Sequence, residues 1–342
     1  MTTLFGLLEH PVIQAPMAGS QAGAMAAAVS QTGALGSVPC ALLTAESMRK
    51  EIEHVRARTD RPLNVNFFVH VAPKEDPARE AAWRQVLKPY YDEQGIDPAG
   101  IAAGGGRAPF SDDFADALEP FKPEIVSFHF GLPSPKLMAR VKGWGSKVIS
   151  SATTVAEAQW LEANGVDAVI AQGIEAGGHR GIFLSQDLTT QVGTFALVPQ
   201  VVAAVKIPVI AAGGIADAAG VRAALALGAS AVQLGTAFLL CDEATTSPVY
   251  RAALKSPEAR HTALTNLFTG RPARGIVNRL MRELGPMNPA APEFPLAGTA
   301  LVPLRDKTVP RGIADFTQLW CGQNPTGCRE VPAARIVESL LA

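Results

Sequence analysis

The sequence has almost no net charge. Its 30 Lys and Arg face 31 Asp and Glu, for a formal charge of −1. It therefore carries no electrostatic footprint for nucleic acid or an acidic membrane surface, and neither is expected as a partner. No stretch approaches about twenty uninterrupted apolar residues, so no membrane span is read. The segment from Met1 to Pro11 lacks the basic start and long apolar core of a secretory signal. Cysteines are few and irregularly spaced. Cys40, Cys241, Cys321 and Cys328 form no CxxC pair and no Cys/His grouping of metal-ligand type, so no metal is expected. The plain reading is four reduced thiols in a cytoplasmic protein, with a Cys321–Cys328 disulfide as the alternative. Aromatic residues are also scarce, at 6%.

What is present is a large apolar fraction, 48% against 18% charged, in 342 residues. That balance suits a globular enzyme with a sizeable core. Alanine, glycine and proline are abundant, which favours close packing of helices on a sheet and tight turns.

Short apolar runs recur, each followed by small or polar residues and then a helical pattern. They are Val12 to Ala15, Ala34 to Val38, Leu63 to Phe68, Ile125 to Phe130, Lys147 to Ser151, Ala168 to Gln172, Pro208 to Ala212 and Ala231 to Gly235. Eight runs alternating with helices imply parallel strands with crossover helices. The nearly continuous apolar sixth and seventh runs suit strands covered on both faces. Eight units point to a closed (β/α)8 TIM barrel, which leaves no exposed edge, with an open doubly wound sheet as the alternative. Thr44 is placed to cap a helix reaching about Arg58.

Two stretches break the repeat. Residues 70–120 read as a helical insertion over the end of strand three, positioned as a lid. Residues 241–311 read as a small capping domain on the substrate side, with helices expected at 246–256 and 258–268. Residues 1–240 then form the barrel, and 312–342 return to complete it with a final helix near 332–341.

In such barrels the chemistry collects at the C-terminal ends of the strands. Strand seven ends in Ala212-Gly213-Gly214-Ile215 and strand eight in Gln233-Leu234-Gly235-Thr236. Glycines there let backbone N–H groups approach an anion, and a helix starting at Asp217 adds a favourable dipole. The plainer alternative is a pair of tight turns. Strand six ends in Gln172-Gly173-Ile174-Glu175-Ala176-Gly177-Gly178-His179-Arg180-Gly181, the densest signal in the chain. Its glycines, Gly177 and Gly178 among them, allow a backbone that lies against a flat ring. His179 exchanges protons near neutral pH. His129 ends strand four near the mouth, as a second catalytic candidate or a hydrogen-bonded core histidine. Asn66 ends strand three, where its amide both donates and accepts. Met17 either packs on a ring face or fills the core. The triplet Gly104-Gly105-Gly106 follows no strand and carries little weight as a nucleotide loop.

The segments Pro11 to Gly19, Val126 to Gly131, Ala171 to Gly181, Ala212 to Ile215, Gln233 to Thr236 and Leu319 to Gln323 resemble the nitronate monooxygenases, formerly called 2-nitropropane dioxygenases. The resemblance spans nearly the whole chain. It implies an FMN-bound barrel with a small capping domain. Asn66, Gln172, Gly177, Gly214 and Gln233 to Thr236 would bind FMN, and His179 would act as base or orient the substrate. The implied activity is oxidation of alkyl nitronates by O2, propionate 3-nitronate above all, as nitronate detoxification. The strand-six motif is shared with NADH-dependent FMN enoyl-acyl-carrier-protein reductases, the alternative enzyme. A non-catalytic flavin- or phosphate-binding barrel is the alternative of a different class. Arg305 and Lys307 are expected to meet a substrate carboxylate, with a solvated charged turn as the plainer reading. The protein is expected to be a monomer or a homodimer.

Overall fold

The structure is a computed structural model that describes residues 4–74, 76–101 and 108–342; the triplet at 104–106 lies outside them. The chain alternates strand and helix in the order β1 (Val12–Gln14), α1 (Gly23–Gln31), β2 (Gly36–Pro39), α2 (Ala45–Arg56), β3 (Leu63–Phe68), α3 (Pro77–Gln94), α4 (Asp112–Leu118), β4 (Ile125–His129), α5 (Pro135–Gly143), β5 (Lys147–Ala152), α6 (Val155–Ala163) and β6 (Ala168–Gln172). It continues through β7 (Gly178–His179), α7 (Thr194–Ala204), β8 (Val209–Ala212), α8 (Ala218–Ala226), β9 (Ala231–Leu234), α9 (Pro248–Lys255), β10 (Thr262–Thr265), β11 (Ala273–Ile276), α10 (Arg279–Leu284), α11 (Val302–Thr308) and α12 (Ala333–Leu341).

Eight strands form one parallel sheet in the order β1-β9-β8-β6-β5-β4-β3-β2. A parallel bridge between Ile13 and Leu35 joins its two edges. Gln14 N donates to Leu35 O at 2.9 Å, and Leu35 N to Val12 O at 3.0 Å. The open-sheet alternative is thereby set aside: this is a (β/α)8 barrel.

Side chains alternate along each strand between the barrel axis and the helices. Val169, Ala171, Val209 and Ala211 face the helical layer, whereas Ile170, Ile210 and Ala212 share the inner cluster with Ile13, Ile125 and Ile149. Leu4 and Leu8 join that cluster and plug the lower end. Outside, α1 lies so close to β2 that a Cβ on Gly36 would sit 2.0 Å from Ala26 O. Thr44 caps α2 as expected, accepting from Ser47 N at 3.2 Å while Ser47 Oγ accepts from Thr44 N at 2.8 Å.

One expected helix is a strand. Residues 258–268 hold a short 3-10 turn, Pro257–Arg260, followed by β10. The reason is tertiary. Thr262 to Thr265 pair antiparallel with Ile276 to Ala273, and backbone partners across a sheet outweigh local periodicity. The small sheet runs β10-β11-β7, so its third strand is borrowed from the loop after β6. Residues 241–311 do not pack alone either. Trp83, Leu87, Tyr90 and Tyr91 of α3 share one buried cluster with Leu267, Phe268, Leu301, Leu304 and Phe316. Trp83 Nε1 donates to Ala297 O at 3.1 Å and Tyr91 Oη to Ala300 O at 2.6 Å.

Candidate functional site

The inward positions change character along the axis. On β4 the series is Ile125, Ser127, His129; on β5 Ile149, Ser151; on β6 Ile170, Gln172; on β9 Ala231, Gln233. Residues two apart share a face, so these four strands, apolar at the base, become polar at the C-terminal end. Those polar ends line a cleft of about 1260 Å3, a volume that includes its open mouth.

Met17, Asn66, His129, Gln172, Gly177, Gly178, His179, Gly213, Gly214, Gln233, Leu234, Gly235 and Thr236 all line this cleft. Its floor is backbone-rich. Gly213 and Gly214 have φ of +114° and +72°, conformations that side chains rarely adopt. A Cβ on Gly177 would lie 2.5 Å from Gly322 N, so this strand-six glycine permits contact with the returning chain. Thr236 Oγ1 accepts from Gly322 N at 2.9 Å, tying strand-eight loop and return segment together.

Arg180, fully buried, shapes the strand-six loop. Its guanidinium donates to Gly173 O and Gln172 O at 2.7 Å each, and to Gln191 Oε1 at 3.1 and 3.0 Å. Burial lowers its pKa to about 10, which leaves it charged at neutral pH.

The carbonyl of His179 is held from two sides. Gln172 Nε2 donates to it at 3.0 Å, and His129 Nε2 lies 3.2 Å away. A carbonyl only accepts, so His129 carries its proton on Nε2. Its Nδ1 then accepts from Ser151 Oγ, at 3.0 Å. Burial, then the nearby Arg271 charge, push the His129 pKa down to about 3. His129 is therefore neutral with both ring nitrogens engaged. This second catalytic candidate of the sequence thus lines the cleft with one ring nitrogen on the His179 carbonyl and the other on Ser151.

The His179 ring stands among Phe68, Phe130, Phe294 and Trp320, with centroids 5.3 to 6.0 Å away. Its Nε2 lies 2.9 Å from Thr269 Oγ1. Phe130 adopts φ +75°, a costly conformation at the end of β4, and Arg271 stacks over its ring at 3.9 Å. Tyr250 Oη donates to Trp320 O and fixes that part of the wall.

Arg305 and Lys307, expected to meet a substrate carboxylate, are not among the cleft's lining residues. Lys307 Nζ donates to Gln94 O and Gly95 O, at 2.7 and 3.1 Å, where a cation satisfies the last carbonyls of α3. Arg305 Nη1 donates to Gln318 Oε1 at 2.9 Å. Sequence reasoning missed Ser127, Ser151 and Thr269. The two serines were open to discovery by strand parity with Gln172. Thr269 arrives from the small sheet and leaves no sequence signal.

Among the described residues no cluster of His, Cys, Asp or Glu could hold a metal ion. None of their helices is long and apolar enough to cross a membrane. All four cysteines are free thiols.

Fold and cleft together define a (β/α)8-barrel enzyme whose site is assembled from strand ends around one caged histidine. The model of one family, nitronate monooxygenase, matches residues 1–342. A nitronate monooxygenase of Pseudomonas aeruginosa is 45% identical over 99% of this chain and 97% of its own. One of Paraburkholderia phytofirmans is 42% identical over 97% of this chain and 92% of its own. A solved nitroalkane oxidase of Streptomyces ansochromogenes superposes with a TM-score of 0.88 at 41% identity, covering 98% of this chain and 95% of that one. FabK of Thermotoga maritima superposes less well, with a TM-score of 0.72 at 32% identity over 98% and 92% of the two chains. The chain belongs to the nitronate monooxygenase family, whose members are flavin-dependent oxidoreductases.

Proposed function

We propose that this protein oxidises alkyl nitronates with O2 on bound FMN, propionate 3-nitronate among them, and that removing such nitronates is its role. The observation that carries the reading is the caged His179 at the mouth of a glycine-floored cleft. The residues suit a flavin mononucleotide. Gln233 Oε1 is buried with no hydrogen-bond partner among the described residues and needs a donor, which the edge of a flavin ring offers. Gly213, Gly214, Gly235 and Thr236 give an anion-accepting floor, and one phosphate suffices for it. The sequence has no Rossmann fingerprint for an adenine dinucleotide. Asn66, Gln172, Gly177, Gly178, Leu234 and Met17 complete the proposed cofactor contacts.

The flavin's chemistry, when bound, is to take electrons from the electron-rich nitronate and hand them to O2. The protein's own part is orientation, exclusion of water and proton handling. The rings around His179 keep water from the reacting end. The imidazole removes the α-proton from a neutral nitroalkane, or orients the anion when the proton has already gone. Gln172, His129 and Ser151 hold the backbone that carries it.

The test is the visible spectrum of the purified protein, release of its cofactor by heat, and oxygen uptake with propionate 3-nitronate and an unsubstituted alkyl nitronate. FMN with nitronate-dependent uptake is expected. FAD, or no flavin affinity, overturns the cofactor. Anaerobic bleaching by NADH and not by nitronate overturns the activity in favour of an enoyl reductase.

A further inference from the structure

The four aromatic rings around His179 fix the plane of its imidazole but discriminate poorly between two orientations within that plane. A turn of 180° about Cβ–Cγ exchanges Nδ1 with Cδ2 and Nε2 with Cε1, and leaves the ring's outline nearly unchanged. Packing against hydrocarbon is almost indifferent to that exchange. A hydrogen bond is not, and Thr269 Oγ1 makes one, 2.9 Å from Nε2.

Thr269 is well placed to be strict about it. It is buried at 4% exposure, in the 266–272 connection between β10 and β11. Gly270 N donates back to Asn266 O at 2.8 Å, and Asn266 exchanges two 2.9 Å hydrogen bonds with the backbone of Asn288. Gly270 holds φ +88°, and a Cβ there would stand 2.0 Å from Pro292 O, so the turn is wedged against the neighbouring chain. The next strand, β11, places Ala273 opposite His179 on β7. The turn that carries the hydroxyl and the strand that carries the histidine thus both hang on β11, and their separation is set through it.

We propose that Thr269 is the positioning residue of His179: its hydroxyl, on Nε2, selects one of the two ring orientations and so sets how the imidazole is presented to the substrate. The proposal rests on His179 being the reacting residue, as proposed above. A hydroxyl suits this task because it serves both protonation states. Arg271 O, 3.4 Å from Thr269 Oγ1, takes the hydroxyl proton while Nε2–H donates to the oxygen. Unlike a carboxylate, it adds no full charge beside the base.

Thr269→Val keeps the side-chain shape and turns a methyl group toward Nε2. An unpaired ring nitrogen against a methyl is unfavourable, so the flipped ring, with Cε1 there instead, becomes preferred. In the flavin-loaded enzyme kcat for nitronate is expected to fall about tenfold or more, while flavin content is kept and KM changes far less. Thr269→Ser is expected to restore kcat to within about twofold, the hydroxyl being what counts. In 15N-histidine spectra, with His179 assigned by loss of its signals in His179→Gln, the hydrogen-bonded Nε2 signal should vanish in Thr269→Val and persist in Thr269→Ser. Wild-type kcat and unchanged His179 ring signals in Thr269→Val would falsify the proposal. So would a Thr269→Ser variant as impaired as Thr269→Val, which would mean that packing matters and the hydroxyl does not. If Thr269→Val does not fold, Thr269→Ala against Thr269→Ser supplies the same comparison. If the wild-type enzyme turns over no nitronate, the functional reading fails by itself, and the ring signals alone decide the role of Thr269.

Discussion

Two histidines stand at the cleft, and their hydrogen bonds assign them different tasks. The His179 ring stands among aromatic faces with the Thr269 hydroxyl on Nε2, while the nitrogens of His129 are committed to Ser151 and to the His179 carbonyl. His179→Asn is therefore expected to lose nitroalkane activity by roughly 10²–10⁴-fold, the usual worth of a positioned base, and nitronate activity much less. Equal losses on both substrates with flavin retained would remove the base role. For His129 the consequence is in stability. Its pKa is 6.5 as the reference value and about 3 when folded, lowered by burial and by Arg271. Between those values the unfolded chain binds a proton that the folded chain does not. The contribution is therefore complete above about pH 6.5 and drains away as pH falls toward 3, by up to a few kcal/mol. His129→Gln, which cannot take up that proton, is expected to lose less stability between pH 6.5 and 4 than the wild type does. Urea midpoints at several pH values measure this, and parallel curves for the two proteins would count against it.

At the level of elements, the strands and their following turns divide the labour. Strands β4, β5, β6 and β9 give apolar residues to the barrel base and polar ones to the mouth, and the glycine turns after β8 and β9 give backbone. Gly214 holds φ +72°, and its Cβ position already touches Glu175 Cβ at 3.4 Å. Gly214→Asp adds backbone strain, bulk and a negative charge where the phosphate is proposed to sit. It is expected to purify folded but colourless, whereas Gly214→Ala, without the charge, should keep more flavin. Near-normal flavin content in Gly214→Asp, read from the visible spectrum, would place the phosphate elsewhere. The strand-six loop owes its shape to an element that the glycine pattern alone does not reveal: the buried Arg180, whose guanidinium holds the carbonyls of Gln172 and Gly173.

Across the whole molecule, the barrel core is joined by a second one that draws α3 from before β4 together with residues 267–316. Trp83, 1% exposed, sits in it and donates to Ala297 O. Trp83→Ala is expected to cost about 3–5 kcal/mol, as truncation of a large buried aromatic does. Hydrogen exchange should rise in α3 and in residues 262–316, Thr269 included, and stay near wild type in β4, β5 and β6. A rise confined to α3 would show that the two segments do not stabilise each other. Because Thr269 and Phe268 lie in the connection between β10 and β11, beside this core, loosening it should reach His179 before it reaches the barrel.

The sequence by itself determined the eight-unit barrel, the strand ends that carry the cleft, the glycine turns and His179. These are local matters: period-two alternation, turn chemistry and a strand followed by its own loop are written in consecutive residues. The tertiary structure alone decided the rest. It turned 262–265 into a strand, because β11 offers its backbone there. It drew Lys307 to the end of α3, more than two hundred residues back along the chain, and Arg305 to Gln318, contacts that form only after folding. It brought His129 against Ser151 and against the His179 carbonyl fifty residues away, one on each ring nitrogen. It placed Thr269 against His179 across ninety residues of sequence, a separation that no periodicity encodes.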